Sequence, residues 1–210
     1  MSTDTTTTRS TIGAGVQTLT VAAGVFGDLI AGAAIAAHAK PDLHALYGVS
    51  ISAAGGVMRA AATDRFRLIY GEINTGEGDL LDAATVSLPD IKRLGVAIKA
   101  LGKSVARQEI TLSRLGDILT VTVGGDSLTL NLVGATFPDY LHLFDGLTPK
   151  PVETVAYNPL FLASFAKVPG SSKQIMNTFT FNGEGKPVRV SIPHDLITWH
   201  ALLMPMRISK

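Results

Sequence analysis

The chain of 210 residues contains no cysteine. Disulfides and thiolate metal sites are therefore excluded, and a cytoplasmic setting fits. Charge is also sparse. Asp, Glu, Lys and Arg make up 17% of the residues, and the net charge is +1. Bulk charge cannot hold such a chain to nucleic acid, so any DNA contact must come from a local basic face or from topology. No apolar run is long enough to span a bilayer, because Asp28 and His38 interrupt the Ala/Gly-rich stretch 22–39. No membrane partner is expected. The five histidines, His38, His44, His142, His194 and His200, share no metal-ligand spacing. No Ser/His/Asp order stands out as a triad. No catalytic residue, metal or cofactor is assigned, and the chain reads as non-enzymatic. Gly183-Glu184-Gly185-Lys186-Pro187 lacks the upstream glycine spacing and the Ser/Thr of a phosphate loop, and reads better as a hairpin.

What is present is a hydrophobic fraction of 46%, which marks a globular chain. Its length allows one large or two small domains. Residues 1–15 are polar and Thr-rich at their start and read as a flexible tail. After the tail a pattern repeats. Leu19 to Ala22 is strand-like. Val25 to Ala39 then carries Phe26, Leu29, Ile30, Ala33 and Ala37 on one helical face, and Pro41 stops it. Strand-like runs follow at Leu46 to Ala53 and Val57 to Ile69, with Gly55-Gly56 as the turn. Gly71 to Asp79 reads as a loop.

The second round starts at Ala84 to Leu88. Pro89 opens a helix with Ile91, Leu94, Ile98 and Leu101 as its stripe, and Gly102 ends it. Glu109 to Arg114, Leu119 to Val123 and Leu128 to Leu132 are strands. The third round has a strand at Glu153 to Tyr157 and Asn158-Pro159 as a helix start. A helix spans Leu160 to Val168, and strands lie at Gln174 to Phe181, Pro187 to Ile192 and Ile197 to Ile208. Strand, helix and two or three strands, three times over, predict an α+β fold.

Two distant segments stand out against this pattern. Ala62-Thr63-Asp64-Arg65-Phe66-Arg67-Leu68 sets two arginines around an aromatic. Leu202-Leu203-Met204-Pro205-Met206-Arg207-Ile208 closes the chain. Both combine Arg with large apolar side chains, a composition enriched at protein–protein hot spots. Ordinary strand ends, with arginines laid over apolar neighbours, are the better reading of the composition alone.

Taken together and in this order, Ala-Thr-Asp-x-x-Arg-Leu and Leu-Met-Pro-x-Arg-Ile resemble the bacterial DNA polymerase sliding clamp, the β subunit of DNA polymerase III. Gly134-x-x-Phe137-Pro138-Asp139-Tyr140 resembles that family's connector after its second domain. Asn158-Pro159-x-x-Leu162 resembles the helix start in the last half of its third domain. The resemblance implies a DNA-clamp fold of three βαβββ units. Residues 16–147 would form a clamp domain like the family's middle one, and 148–210 a half domain like the end of its last. The first domain and the first half of the last are missing. Such a shortened form suits a compact, phage-encoded clamp. Ring closure is not implied by three units per chain.

The resemblance further implies a peptide pocket. Thr63, Arg65, Phe66, Arg67 and Leu68 would form one wall, and Leu203, Met204, Pro205, Met206 and Arg207 the other. Leu143 and Phe144 would stand near the position of the family's connector proline. Expected partners are a DNA polymerase and other proteins with clamp-binding motifs, a clamp loader, duplex DNA without sequence preference, and further copies in a homo-oligomeric ring. The expected function is that of a processivity factor; the alternative is a peptide-binding adaptor that does not encircle DNA. From the residues themselves, Lys92, Lys99 and Lys103 fall within about 40° on one helical face, with Lys167 and Lys173 as an extension. They form a candidate phosphate-contacting surface. An ordinary solvated helix face is nearly as good a reading.

Overall fold

The stripe of Phe26, Leu29, Ile30 and Ala33 forms the buried face of the first helix in the computed structural model, which describes residues 15–102, 104, 108–170 and 176–208. The elements run β1 (Gln17–Ala22), α1 (Ala23–Ala34), β2 (Gly48–Ala54), β3 (Val57–Thr63), β4 (Arg67–Asn74) and β5 (Leu81–Ser87). They continue through α2 (Leu88–Ala100), β6 (Glu109–Leu115), β7 (Ile118–Val123), β8 (Asp126–Asn131) and α3 (Pro159–Ser164). The chain ends with β9 (Thr178–Thr180), β10 (Val188–Ser191) and β11 (Thr198–Leu203). The result is the mixed α+β fold the pattern predicts.

The strands form two antiparallel sheets. One has the order β1-β6-β7-β8, the other β5-β2-β3-β4-β11-β10-β9. The first two rounds interlock by exchanging their opening strands. β1 pairs with β6 of the second round, and β5 pairs with β2 of the first. Helices α1 and α2 pack against each other, at a point where a Cβ on Gly27 would meet Ile98 Cγ2 at 3.1 Å. The third round attaches through β11, which lies antiparallel to β4 from Thr198↔Glu72 to Leu203↔Arg67. One apolar core runs through all three rounds, from Leu19 and Phe26 to Phe165, Val190 and Trp199.

Local chemistry accounts for most boundaries. Gly55 and Gly56, at φ 59° and 77°, make a two-residue hairpin of the primed type that fits strand twist. Ser87 caps α2 by accepting from the Asp90 amide, and Asn158 caps α3 by accepting from the Leu160 amide. Several sequence expectations need correction. The run Val57 to Ile69 is two strands, split by a turn at Asp64–Phe66. β4 continues to Asn74, so the loop expected from Gly71 starts later. The first helix ends at Ala34, because the next amides bond three residues back and His38 N–H donates to Leu46 C=O. Glu153 to Tyr157 joins no strand; its one bridge is Ala156↔Met206. The last strand stops at Leu203, before Pro205.

Candidate functional site

The turn that splits β3 from β4 is built by side chains rather than by glycine. Asp64 is buried, and its Oδ1 accepts from the Phe66 and Arg67 amides at 3.0 and 2.7 Å. Thr63 Oγ1 donates to Arg67 C=O at 2.6 Å and accepts from the Arg65 amide at 3.1 Å. Arg65 is thereby held at φ 76°, a left-handed conformation that costs a residue with a Cβ about 1 kcal/mol or more. The turn leaves Phe66 about half exposed.

The tail runs beside this turn. Leu203 pairs with Arg67, and Met204 N–H then donates to Phe66 C=O at 2.9 Å. The arginine-flanked phenylalanine and the chain's end are therefore neighbours, joined backbone to backbone. Met204, Met206 and Ile208 are exposed beyond the seam. With Pro205 and Arg207 they line a cleft whose other side is Pro151–Ala156, with Glu184 and Gly185 at its margin. The bond from Met206 N–H to Ala156 C=O, 2.8 Å, fixes its width.

The expected pocket residues do not all play one part. Successive strand residues face opposite sides. Leu68 therefore shares the outer face with its partner Leu202, while Arg67 and Leu203 face the helices. Leu68 is buried and Leu203 has no exposed surface, so both pack the sheet rather than offering a free wall. Arg67 is already engaged. Its Nε and Nη2 donate to Asp64 Oδ2 at 2.9 and 2.7 Å, and its Nη1 donates to Ser164 Oγ at 2.7 Å. Its guanidinium also sits 4.4 Å over the Phe161 ring, which stacks on Phe66 at 5.9 Å between centroids. Asp64, Phe161 and Ser164 are parts of the turn's support that sequence reasoning missed. The asparagine-proline helix start was the available signal for Phe161, since it fixes where α3 begins.

Leu143 and Phe144 lie in a 3-10 turn, Leu141–Phe144, over the outer face of the β4–β11 seam. Phe144 packs edge-on to Tyr70 at 5.3 Å, and Tyr70 stacks on His200 at 4.5 Å. Arg189 Nη2 donates to Phe144 C=O at 3.3 Å. Phe144 is thus fastened to the seam, whereas Leu143 is exposed. Burial holds the His200 pKa below its ordinary value, partly opposed by Glu72, whose Oε2 is 3.7 Å away. Burial pushes the Tyr70 and Tyr140 hydroxyls up to about 12.

On the helix side, Lys92 and Lys99 of α2 are exposed, as is Lys167 just after α3. Lys103 and Lys173 lie outside the described residues. Arg93 pairs with Asp90 at 2.6 Å. The exposed face of α1 carries Asp28 and Ala31 and no lysine, so positive charge is concentrated on α2. Among the described residues, no cluster of three or more His, Asp or Glu could hold a metal ion, and no helix is long and apolar enough to cross a membrane.

The family model for the DNA polymerase III beta subunit, central domain, matches residues 20–139. The chain belongs to this family. That match runs from within β1 to Asp139 and so contains the Thr63–Arg67 turn. A beta sliding clamp homolog, GriR of Streptomyces muensis, is 32% identical over 129 residues, 60% of this chain. The chain spans 34% of that relative's length. A DNA polymerase III beta subunit from Thermotoga maritima superposes with a TM-score of 0.78 over 100% of this chain and 70% of its own, at 15% identity. Sliding clamps from Caulobacter crescentus and Pseudomonas aeruginosa each give 0.75, covering 92% and 91% of this chain at 17% and 16% identity. The Thermotoga maritima match covers 100% of this chain, so the likeness of fold takes in the third round and the C-terminal segment as well.

Proposed function

We propose that the chain is a shortened sliding clamp, a non-enzymatic processivity factor that tethers a DNA polymerase to duplex DNA. The observation that carries this reading is the backbone bond from Met204 N–H to Phe66 C=O. It sets the methionine-rich tail beside an exposed phenylalanine within a chain of the sliding-clamp family. Met204, Met206 and Phe66 offer adaptable apolar surface, and the exposed Arg65 and Arg207 can fix polar ends of a peptide. The partner in this reading is a short linear segment presenting leucine, phenylalanine and glutamine, carried by a polymerase or a clamp loader. Tethering raises the effective concentration of the polymerase at its primer end without any new DNA contact. Residues 16–147 act as one clamp domain and 148–210 as a half domain. Further copies complete a ring in the cytoplasm. Lys92, Lys99 and Lys167, with Lys103 and Lys173, touch phosphates without reading sequence.

Primer extension by a tethered polymerase on a long template tests this. Glu at Lys92, Lys99 and Lys103 together should shorten products several-fold while leaving peptide binding intact. Full-length products from the triple variant would remove α2 from the account. A second reading has one observation in its favour: Asp28 stands on the exposed face of α1, and no lysine joins it there. A peptide-binding adaptor that does not encircle DNA needs no positive lining. Retention on closed circular DNA and loss after linearisation marks the clamp. Equal behaviour on both marks the adaptor.

A further inference from the structure

The arginines of the two sheets differ in how well they are matched. Arg67 makes two bonds to Asp64 and one to Ser164. Arg59 pairs with Glu72 at 2.6 Å. Arg114 donates to the carbonyls of Asp82, Ala83 and Gly116 at 2.7, 3.2 and 3.0 Å. Arg189 is half-buried, yet among the described residues it makes one bond, from Nη2 to Phe144 C=O. At 3.3 Å that bond is long for an N–H donor. Its Nε is buried and has no partner. Among the described residues no carboxylate is in ion-pair contact with it, and nearby Glu72 is taken by Arg59 and faces His200 Nε2 at 3.7 Å. A buried donor of a charged group rarely goes unpaired in a native protein, and it calls for a partner.

The place of Arg189 links it to the groove. Leu68, Leu202 and Arg189 stand in register across β4, β11 and β10. One step further along β4 and β11 is the bond between Met204 and Phe66. Arg189 is thus one row and one strand away from the two apolar side chains that would seat a peptide. The Phe144 ring centroid lies 5.6 Å from its guanidinium carbon and keeps the group at this edge. Arg65 in the turn and Arg207 in the tail are exposed, whereas Asp64, the carboxylate within the turn, is committed to Arg67. We propose that Arg189 sets the groove's preference among peptides, and that its ligand is a carboxylate of the docked segment. The inference rests on the proposed peptide groove. A carboxylate accepts from two N–H groups of one guanidinium at once, a match that the Phe144 carbonyl cannot offer. The peptide's apolar residues lie on Phe66 and Met204, and its acid reaches Arg189 in the adjoining row. Such a contact selects among apolar segments that would otherwise bind alike. The acid is an Asp or Glu side chain or the end of the partner's chain.

The test is calorimetric titration of the full chain with peptides that share glutamine, leucine and phenylalanine. One is neutral and amidated at its C-terminus. A set carries a single aspartate moved through the remaining positions, and a last peptide is neutral with a free C-terminal carboxylate. One acidic peptide should bind about tenfold tighter than the neutral one. Whether it belongs to the aspartate set or is the free-ended peptide tells a side-chain acid from a chain terminus. In Arg189→Gln the ratio of acidic to neutral affinity should fall to about one. Arg189→Lys is a milder variant that keeps the charge and loses the fork, and it should lose most of the advantage. Equal affinity for neutral and acidic peptides in the wild type overturns the inference and leaves the groove standing. So does an undiminished advantage in either variant. If no peptide binds at all, the groove reading fails and this inference fails with it.

Discussion

The first two rounds and the third are held together by different means. Rounds one and two share strands and pack helix on helix, so each is part of the other's core. The third joins them along one seam, β4–β11, and through a few side chains, chief among them Trp199, with Phe161 and Ser164 against the β3–β4 turn. Trp199 projects from β11 against α1, and two glycines make room for it. A Cβ on Gly32 would stand 2.3 Å from Trp199 Cη2, and one on Gly71 would stand 2.7 Å from Trp199 Cζ3. Glycine is unfavourable in the middle of a helix or a strand. Its presence at both places is explained by the indole that fills the gap. A module that interlocks is stabilised by distributed burial; one that docks depends on a few contacts that single substitutions can remove.

The largest effect should follow from Trp199→Ala. Emptying that site should cost about 3–5 kcal/mol in urea unfolding, and the third round should become susceptible to proteolysis before the first two. A loss under about 1 kcal/mol would mean the two regions are not held as differently as described. Next comes Arg67→Ala, which leaves the Asp64 carboxylate buried without its ion pair and removes the bond to Ser164. It should cost about 3 kcal/mol, again by urea unfolding. Arg65, two residues earlier and exposed, should tolerate Ala with a far smaller change. Equal effects at the two arginines would contradict the distinct roles assigned to them.

A smaller effect concerns acid stability at the seam. The folded His200 pKa lies below its unfolded value because of burial, with Glu72 pulling it up and Arg189 and Arg59 pushing it down. The unfolded chain therefore takes up this proton first. His200 withholds no stability above about pH 6.5, and its contribution is lost as pH falls below that toward the folded pKa. The difference in stability between wild type and His200→Gln should shift in favour of the variant between pH 7 and pH 5. A constant difference across that window would show that burial does not govern His200.

Much of this arrangement was legible in the residues. The Gly55-Gly56 turn, the Ser87 and Asn158 caps with their prolines, and the apolar stripes of α1 and α2 set the repeating pattern. The paired motifs pointed to the contact between turn and tail. The β3–β4 break was not legible, because its turn is formed by Asp64 and Thr63 side chains around a left-handed arginine rather than by glycine. The role of Arg67 was also hidden, since its partners Ser164 and Phe161 are nearly a hundred positions away. Glu153 to Tyr157 has strand composition, yet among the described residues it makes only the bridge Ala156↔Met206, because its neighbours are the irregular tail residues rather than a strand.

The account turns on whether the turn and the tail act as one binding surface. Calorimetric titration of a peptide carrying glutamine, leucine and phenylalanine measures this directly, with wild type compared against Met204→Asp. Met204 is exposed, so the variant should fold as the parent does. The account predicts saturable one-to-one binding to the wild type and at least a tenfold loss of affinity in the variant. Undiminished affinity in a properly folded Met204→Asp protein would contradict it.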